Sequence, residues 1–109
     1  MDIHFASEKL RKVLSEEKSI VRKYGTVCAK KIIARMSALE AASTWSELPN
    51  LPGGWHPLKA DRQSEWSAEL ADGKRLIVSP QGEFKHRGDG SVDLNSVHEV
   101  IIKEIVDYH

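Results

Sequence analysis

The dipeptide Asp72-Gly73 stands between two short runs that each read as a strand, and it leaves this stretch of chain little choice. A two-residue hairpin connection needs φ > 0 at both central positions, and Asp-Gly supplies that at low steric cost. Before it, Trp66, Ala68 and Leu70 alternate with Ser67 and Glu69, which puts the apolar set on one face. After it, Arg75-Leu76-Ile77-Val78 returns as a buried strand. Trp55 to Pro80 therefore reads as three strand pieces joined by two tight connections. Lys59, Arg62, Lys74 and Arg75 decorate this sheet, with His56 at its head.

Before the sheet, Asp2 to Ala6 reads as a first strand, with Ile3 and Phe5 alternating against Asp2 and His4. Ser7 is a good N-cap, and Glu8 in the first turn suits the helix dipole. Leu10, Val13, Leu14, Val21 and Tyr24 share one helical face with Ile20 beside them, predicting one helix ended by Gly25 in the left-handed C′ position. Thr26 is the expected cap of a second helix. Its apolar stripe is Ala29, Ile32, Ile33, Met36 and Leu39, while Lys30, Lys31 and Arg35 face outward. Together the two make a helical hairpin. Ser43 and Thr44 can cap a single turn from Trp45 to Leu48. Pro49, Pro52, Gly53 and Gly54 then form a connector that suits neither helix nor central strand.

Ser79 to Ser96, with Pro80, Gly82, Gly88 and Gly90, reads as a long loop, and such loops are usually functional or mobile. Val97 to His109 reads as a strand with Val100, Ile102 and Val106 on one face and Ile101 and Ile105 on the other, which suggests a central position. The order β–α–α–β–β–β–β predicts an α+β fold: an N-terminal strand, a helical hairpin, then a mostly antiparallel sheet with the two helices packed on one face. The 109 residues, 1–109, suffice for one domain. The second sheet face is then open, and it is the expected location of a site.

Charge is balanced overall, at 16 basic and 16 acidic residues, but unevenly spread. Ser7 to Ala42 carries nine Lys/Arg against four Asp/Glu, whereas Ser43 to His109 carries seven against eleven. The helical part is the basic part, as a solvated face or a binding surface. Cys28 is the single cysteine, which excludes an intramolecular disulfide and a cysteine-cluster zinc site. It reads as a core or boundary residue. A reduced thiol, the lack of a signal-peptide pattern and the lack of an apolar run near the ~20 residues of a membrane span predict a cytoplasmic protein without membrane association.

Five histidines occur, at positions 4, 56, 86, 98 and 109, with no HxxxH spacing and no acidic ladder joining them. No glycine-rich loop follows a strand and opens a helix, and there is no nucleophile elbow. Neither metal nor cofactor is expected. What remains is acid–base chemistry assisted by cations. RNA can be cut this way when its own 2′-hydroxyl attacks the adjacent phosphate. The reaction needs a base for the 2′ proton, a cation for the phosphoryl oxygens and an acid for the leaving 5′-oxygen. The candidates are His56, Lys59, Arg62, Arg75, Asp107, Tyr108 and His109. Each also has a structural reading: His56 as a strand-edge residue before Pro57, Arg62 as a partner of Asp61 or Glu65, Tyr108 and His109 as a tail.

LPNLPGGWHPLKADRQSEWSAELADGKRLIVSP, with the opening IHFASEKLRKVL and the ending IIKEIVDYH, resembles the HigB-type killer proteins of bacterial toxin–antitoxin pairs, within the RelE/ParE toxin superfamily. The likeness runs in order along nearly the whole chain. Its most specific pieces are H-x-L-K-x-D-R, a strand with W-S, then R-L-I, and the terminal V-D-Y-H. The resemblance implies a RelE/ParE-like toxin of a type II pair that cuts messenger RNA on the translating ribosome without metal. It implies a HigA-like helix-turn-helix antitoxin as partner, and contact with operator DNA only through that complex.

Position by position, the resemblance makes His109 and His56 the acid–base pair. It gives Tyr108 a stacking or donor role, Lys59 and Arg75 the phosphate, and Asp107 the orientation of an imidazole. On a regular strand Tyr108 and His109 point to opposite faces, so one of them supports the other or the chain curls. Two other functions suit such a chain: a ParE-like toxin that blocks gyrase and cuts nothing, and an inactive interaction module for a helix-turn-helix repressor.

Overall fold

The computed structural model describes residues 1–58 and 64–107. Five strands form one sheet: β1 (Asp2–Phe5), β2 (His56–Pro57), β3 (Trp66–Glu69), β4 (Lys74–Gln81) and β5 (Glu99–Asp107). Their spatial order is β1-β5-β4-β3-β2. β1 pairs with β5 in parallel, and every other pairing is antiparallel. Three helices, α1 (Glu8–Leu14), α2 (Glu17–Tyr24) and α3 (Thr26–Ala41), lie between β1 and β2, and they pack on one face. The α+β architecture expected from the element order is the one observed.

The Asp72-Gly73 turn has φ of 58° and 74°, and the Lys74 N–H donates to the Ala71 carbonyl at 3.1 Å. Two left-handed central residues make this the primed turn that matches the strand twist. The turn alone would set Ala68 opposite Ile77. The Leu70 N–H also donates to the Lys74 carbonyl, at 2.9 Å, so β3 carries one extra residue before the turn, and in the resulting register Ala68 faces Leu76 and Trp66 faces Val78. These side chains meet Ile3, Phe5, Val100 and Ile102 from the neighbouring strands, and the helices close over them with Ile20, Ile32 and Leu39. Cys28 is buried in this core.

The expected first helix is two helices. The run Ser15 to Ser19 offers no apolar residue to bury, and its hydroxyls compete for backbone carbonyls. Ser15 donates to the Arg11 carbonyl, and Ser19 donates to that of Val13 at 2.6 Å. Glu16 goes extended at φ −133°, and α2 restarts after it. Ser7 does cap α1, accepting from the Leu10 N–H at 3.1 Å. Gly25 has the positive φ expected of it, 82°, but its ψ of 165° lies outside the left-handed helical region. It is itself the residue before α3, so Thr26 is the first helical residue and no side chain caps the helix. Thr44 and Glu47 form a reciprocal capping box on a 3-10 turn, Trp45–Asn50.

Two expectations about the second half change. Ser79, Pro80 and Gln81 belong to β4, and the segment after them is folded. His86 bridges to Val92, the Arg87 N–H donates to the Ser91 carbonyl at 2.7 Å, and a 3-10 turn, Leu94–Ser96, leads into β5. Polar side chains in this loop bond their own backbone, as Asp89 does with Ser91 and Asp93 with Asn95. In β5 the facing breaks between Ile102, which pairs with Val78, and Glu104, which pairs with Ile77. Lys103 is the extra residue of a bulge. Val100, Ile102 and then Ile105 pack on the core, so Val106 falls on the face opposite to that expected.

Candidate functional site

With the helices on one side, alternation assigns the other face. His56 lies opposite Ser67, Ser67 opposite Ile77, and Ile77 opposite Glu104, a row across four strands. The next row is Glu69, Arg75 and Val106, and beyond the first row Ser79 lies opposite Ile101 and Ile101 opposite His4. Two members of this face, Ser67 and Ile77, are fully buried, so its centre is covered and not open as the element order led one to expect. Among the described residues the Ser67 hydroxyl has no hydrogen-bond partner.

His56 begins its edge strand because the connector Gly53-Gly54-Trp55 turns back to meet β3. The Glu69 N–H donates to the Gly53 carbonyl at 2.8 Å, and Trp55 is buried. The imidazole is exposed, with Nδ1 2.9 Å from the Gly54 carbonyl oxygen. A carbonyl only accepts, so Nδ1 carries the proton and Nε2 keeps its lone pair in the neutral ring. That is the form of a base.

Arg75 shares the face, two strands away. Its guanidinium is half-buried, and one nitrogen is 3.9 Å from the Glu69 carboxylate. Glu69 serves both neighbours. Its side chain runs beside Gly54, and its carbonyl accepts from Arg35 Nε at 3.1 Å. Arg35 was expected to face outward; it reaches from α3 to the end of β3 instead. Its stem can bury along the apolar surface while its head finds a carbonyl.

Asp107 pairs with Lys74, on the helix-bearing side of the sheet. The Lys103 bulge has this effect, since on a strand without it Asp107 would fall on the face of His56 and Arg75. The group that orients the His56 ring is a backbone carbonyl. Lys59, Arg62, Tyr108 and His109 lie outside the described residues. Sequence reasoning missed Gly54 and Arg35 as supports of the face. The only hint was the glycine pair two residues before the histidine.

Among the described residues no group of three or more His, Cys, Asp or Glu side chains could hold a metal ion. No helix among them is long and apolar enough to cross a membrane. The lysines and arginines of α1 and α2 are exposed, and Arg11 pairs with Glu8, holding that carboxyl below the usual carboxylate range. No family model matches the chain, and no curated protein matches it.

Proposed function

We propose that this chain is the toxin of a type II toxin–antitoxin pair and cuts messenger RNA on the translating ribosome without a metal ion. The observation that carries the reading is the His56 imidazole, whose Nδ1 proton is held by the Gly54 carbonyl so that Nε2 is the unprotonated nitrogen of the neutral ring, on the same helix-free sheet face as Arg75.

In this scheme Nε2 of His56 takes the proton of a ribose 2′-hydroxyl. The 2′-oxygen attacks phosphorus, the bond to the 5′-oxygen breaks, and the products are a 2′,3′-cyclic phosphate and a 5′-hydroxyl. Arg75 stabilises charge gathering on the non-bridging oxygens, where a fixed donor contributes about 3 kcal/mol. Lys59 and Arg62 add positive charge, His109 returns a proton to the leaving oxygen, and Tyr108 stacks on a base. Asp107 has a supporting role from the other side of the sheet. Translated messages put the reaction in the cytoplasm. A helix-turn-helix antitoxin silences the protein and carries it to operator DNA.

Expressing the chain alone and mapping RNA 5′ ends tests this reading. Growth arrest with new 5′-hydroxyl ends inside translated messages is expected, and both should vanish in a folded His56→Ala variant. Arrest without new ends, but with DNA-damage signalling, would favour gyrase inhibition. No arrest, with altered operator binding by a repressor, would favour an interaction module.

A further inference from the structure

We propose that Arg35, on α3, is a positioning residue for His56. The inference rests on the reading of His56 as a base. Arg35 lies so close to Gly53 that a Cβ built there would sit 2.4 Å from Nε and 2.8 Å from Cδ. Gly53 has φ +127°, a conformation that only glycine adopts readily. The arginine head therefore lies flush on bare backbone. From there Nε donates to the Glu69 carbonyl at 3.1 Å, and the Glu69 N–H returns to the Gly53 carbonyl at 2.8 Å. These contacts close a ring of α3, the connector and the end of β3.

The next residue, Gly54, provides the carbonyl that holds the Nδ1 proton of His56. Two consecutive glycines are the most flexible link a chain can have. Arg35 above Gly53 adds to the hold of the Glu69–Gly53 hydrogen bond and the buried Trp55, and without it the Gly54 peptide gains freedom to rotate. The ring nitrogen would lose its fixed acceptor, and the imidazole would revert to the Nε2–H form that an unrestrained ring prefers. The Glu69 carboxylate also approaches Arg75, at 3.9 Å.

The test is a histidine 15N tautomer measurement on the purified full chain. Wild-type His56 is expected in the Nδ1–H form. Arg35→Met should lose that pattern, and Arg35→Lys, which keeps a donor for Glu69, should retain it. On cleaved RNA, Arg35→Met should lower kcat about tenfold or more with KM unchanged, and move the acidic limb of the pH profile. If Arg35→Met does not fold, Arg35→Ala removes the same guanidinium from a helix position and should shift the tautomer likewise. A folded variant of either kind that keeps the Nδ1–H pattern, or a wild-type His56 in the Nε2–H form, overturns the proposal. The tautomer needs no cleavage to be read. A tautomer shift in a chain that cuts no RNA would therefore uphold Arg35 and reject the nuclease reading alone.

Discussion

Trp45 and Trp66 meet with ring centroids 6.2 Å apart and planes at 85°, which ties the 3-10 turn to the core side of β3. Trp45 is fully buried, and among the described residues its indole N–H has no hydrogen-bond partner. Volume and ring contact, not the polar atom, are then what the site needs. Trp45→Ala should cost about 3–5 kcal/mol. Trp45→Phe should cost less than half of that, since no hydrogen bond is lost. Urea unfolding of the two variants separates these outcomes. Equal losses would mean that the indole nitrogen has a role after all.

Asp72 holds φ at 58° without being glycine. Asparagine tolerates this region and β-branched residues do not. Asp72→Asn should leave stability within a few tenths of a kcal/mol, and Asp72→Val should cost about 1–3 kcal/mol. Denaturation midpoints at constant m-value are the measure. A valine that costs nothing would show that the turn is not fixed by its own backbone preference.

Burial pushes the Tyr24 phenol above its ordinary value of 10.0, with the nearby Cys28 thiol as the smaller cause. The folded chain therefore keeps its phenolic proton to higher pH than the unfolded chain does. Between those two values the folded state binds more protons, so stability falls as pH rises. Wild type should lose stability relative to Tyr24→Phe above about pH 10 and not below it. Thermal melts of both proteins on either side of that pH are decisive, and parallel curves would contradict the assignment.

The Asp89 carboxylate accepts from the Ser91 hydroxyl at 2.6 Å and from the Ser91 N–H at 2.9 Å, which holds it below the ordinary 3.8. Here the sign is the reverse. The contribution is present above the unfolded value and lost as pH falls through the folded one. Because the group is exposed, the effect is local to the loop tip. Amide exchange at Ser91 should quicken, beyond its intrinsic pH trend, when Asp89 is protonated. Asp89→Asn keeps an acceptor and should remove that dependence.

For the proposed nuclease, His56→Gln should lower cleavage about 10²–10⁴-fold while leaving the melting temperature near wild type, because the ring is exposed. Arg75→Ala should also slow cleavage, and its loss should fall in kcat more than in KM. The measurement is single-turnover cleavage of a defined message in a purified translation reaction. Full activity in His56→Gln would remove the base from the scheme.

Much of the fold was legible because local signals agreed. The Asp-Gly turn, the alternation from Trp66 to Leu70 and the stripe through Ile32 and Leu39 each pointed to the element that forms. The parallel pairing of β1 with β5 was not, because it joins the two ends of the chain. Nor was the break at Ser15-Glu16, where side-chain hydroxyls compete with a helix that apolar spacing alone would continue. His56 and Arg75 could be placed on one sheet from sequence. What orients the histidine could not, since the carbonyl of Gly54 depends on the backbone path through two glycines.

In β5 the core-facing residues are Val100, Ile102 and Ile105, a spacing of two and then three. A strand kept strictly regular through Lys103 would set Glu104 against Leu76 inside the molecule and turn Ile105 out to water. The bulge is thus a phase correction. It absorbs the odd residue where the apolar rhythm slips and returns the strand to step with β4. Lys103 is a spacer: deleting it would straighten the strand and leave every later pair, from Glu104 with Ile77 to Asp107 with Lys74, as it is now.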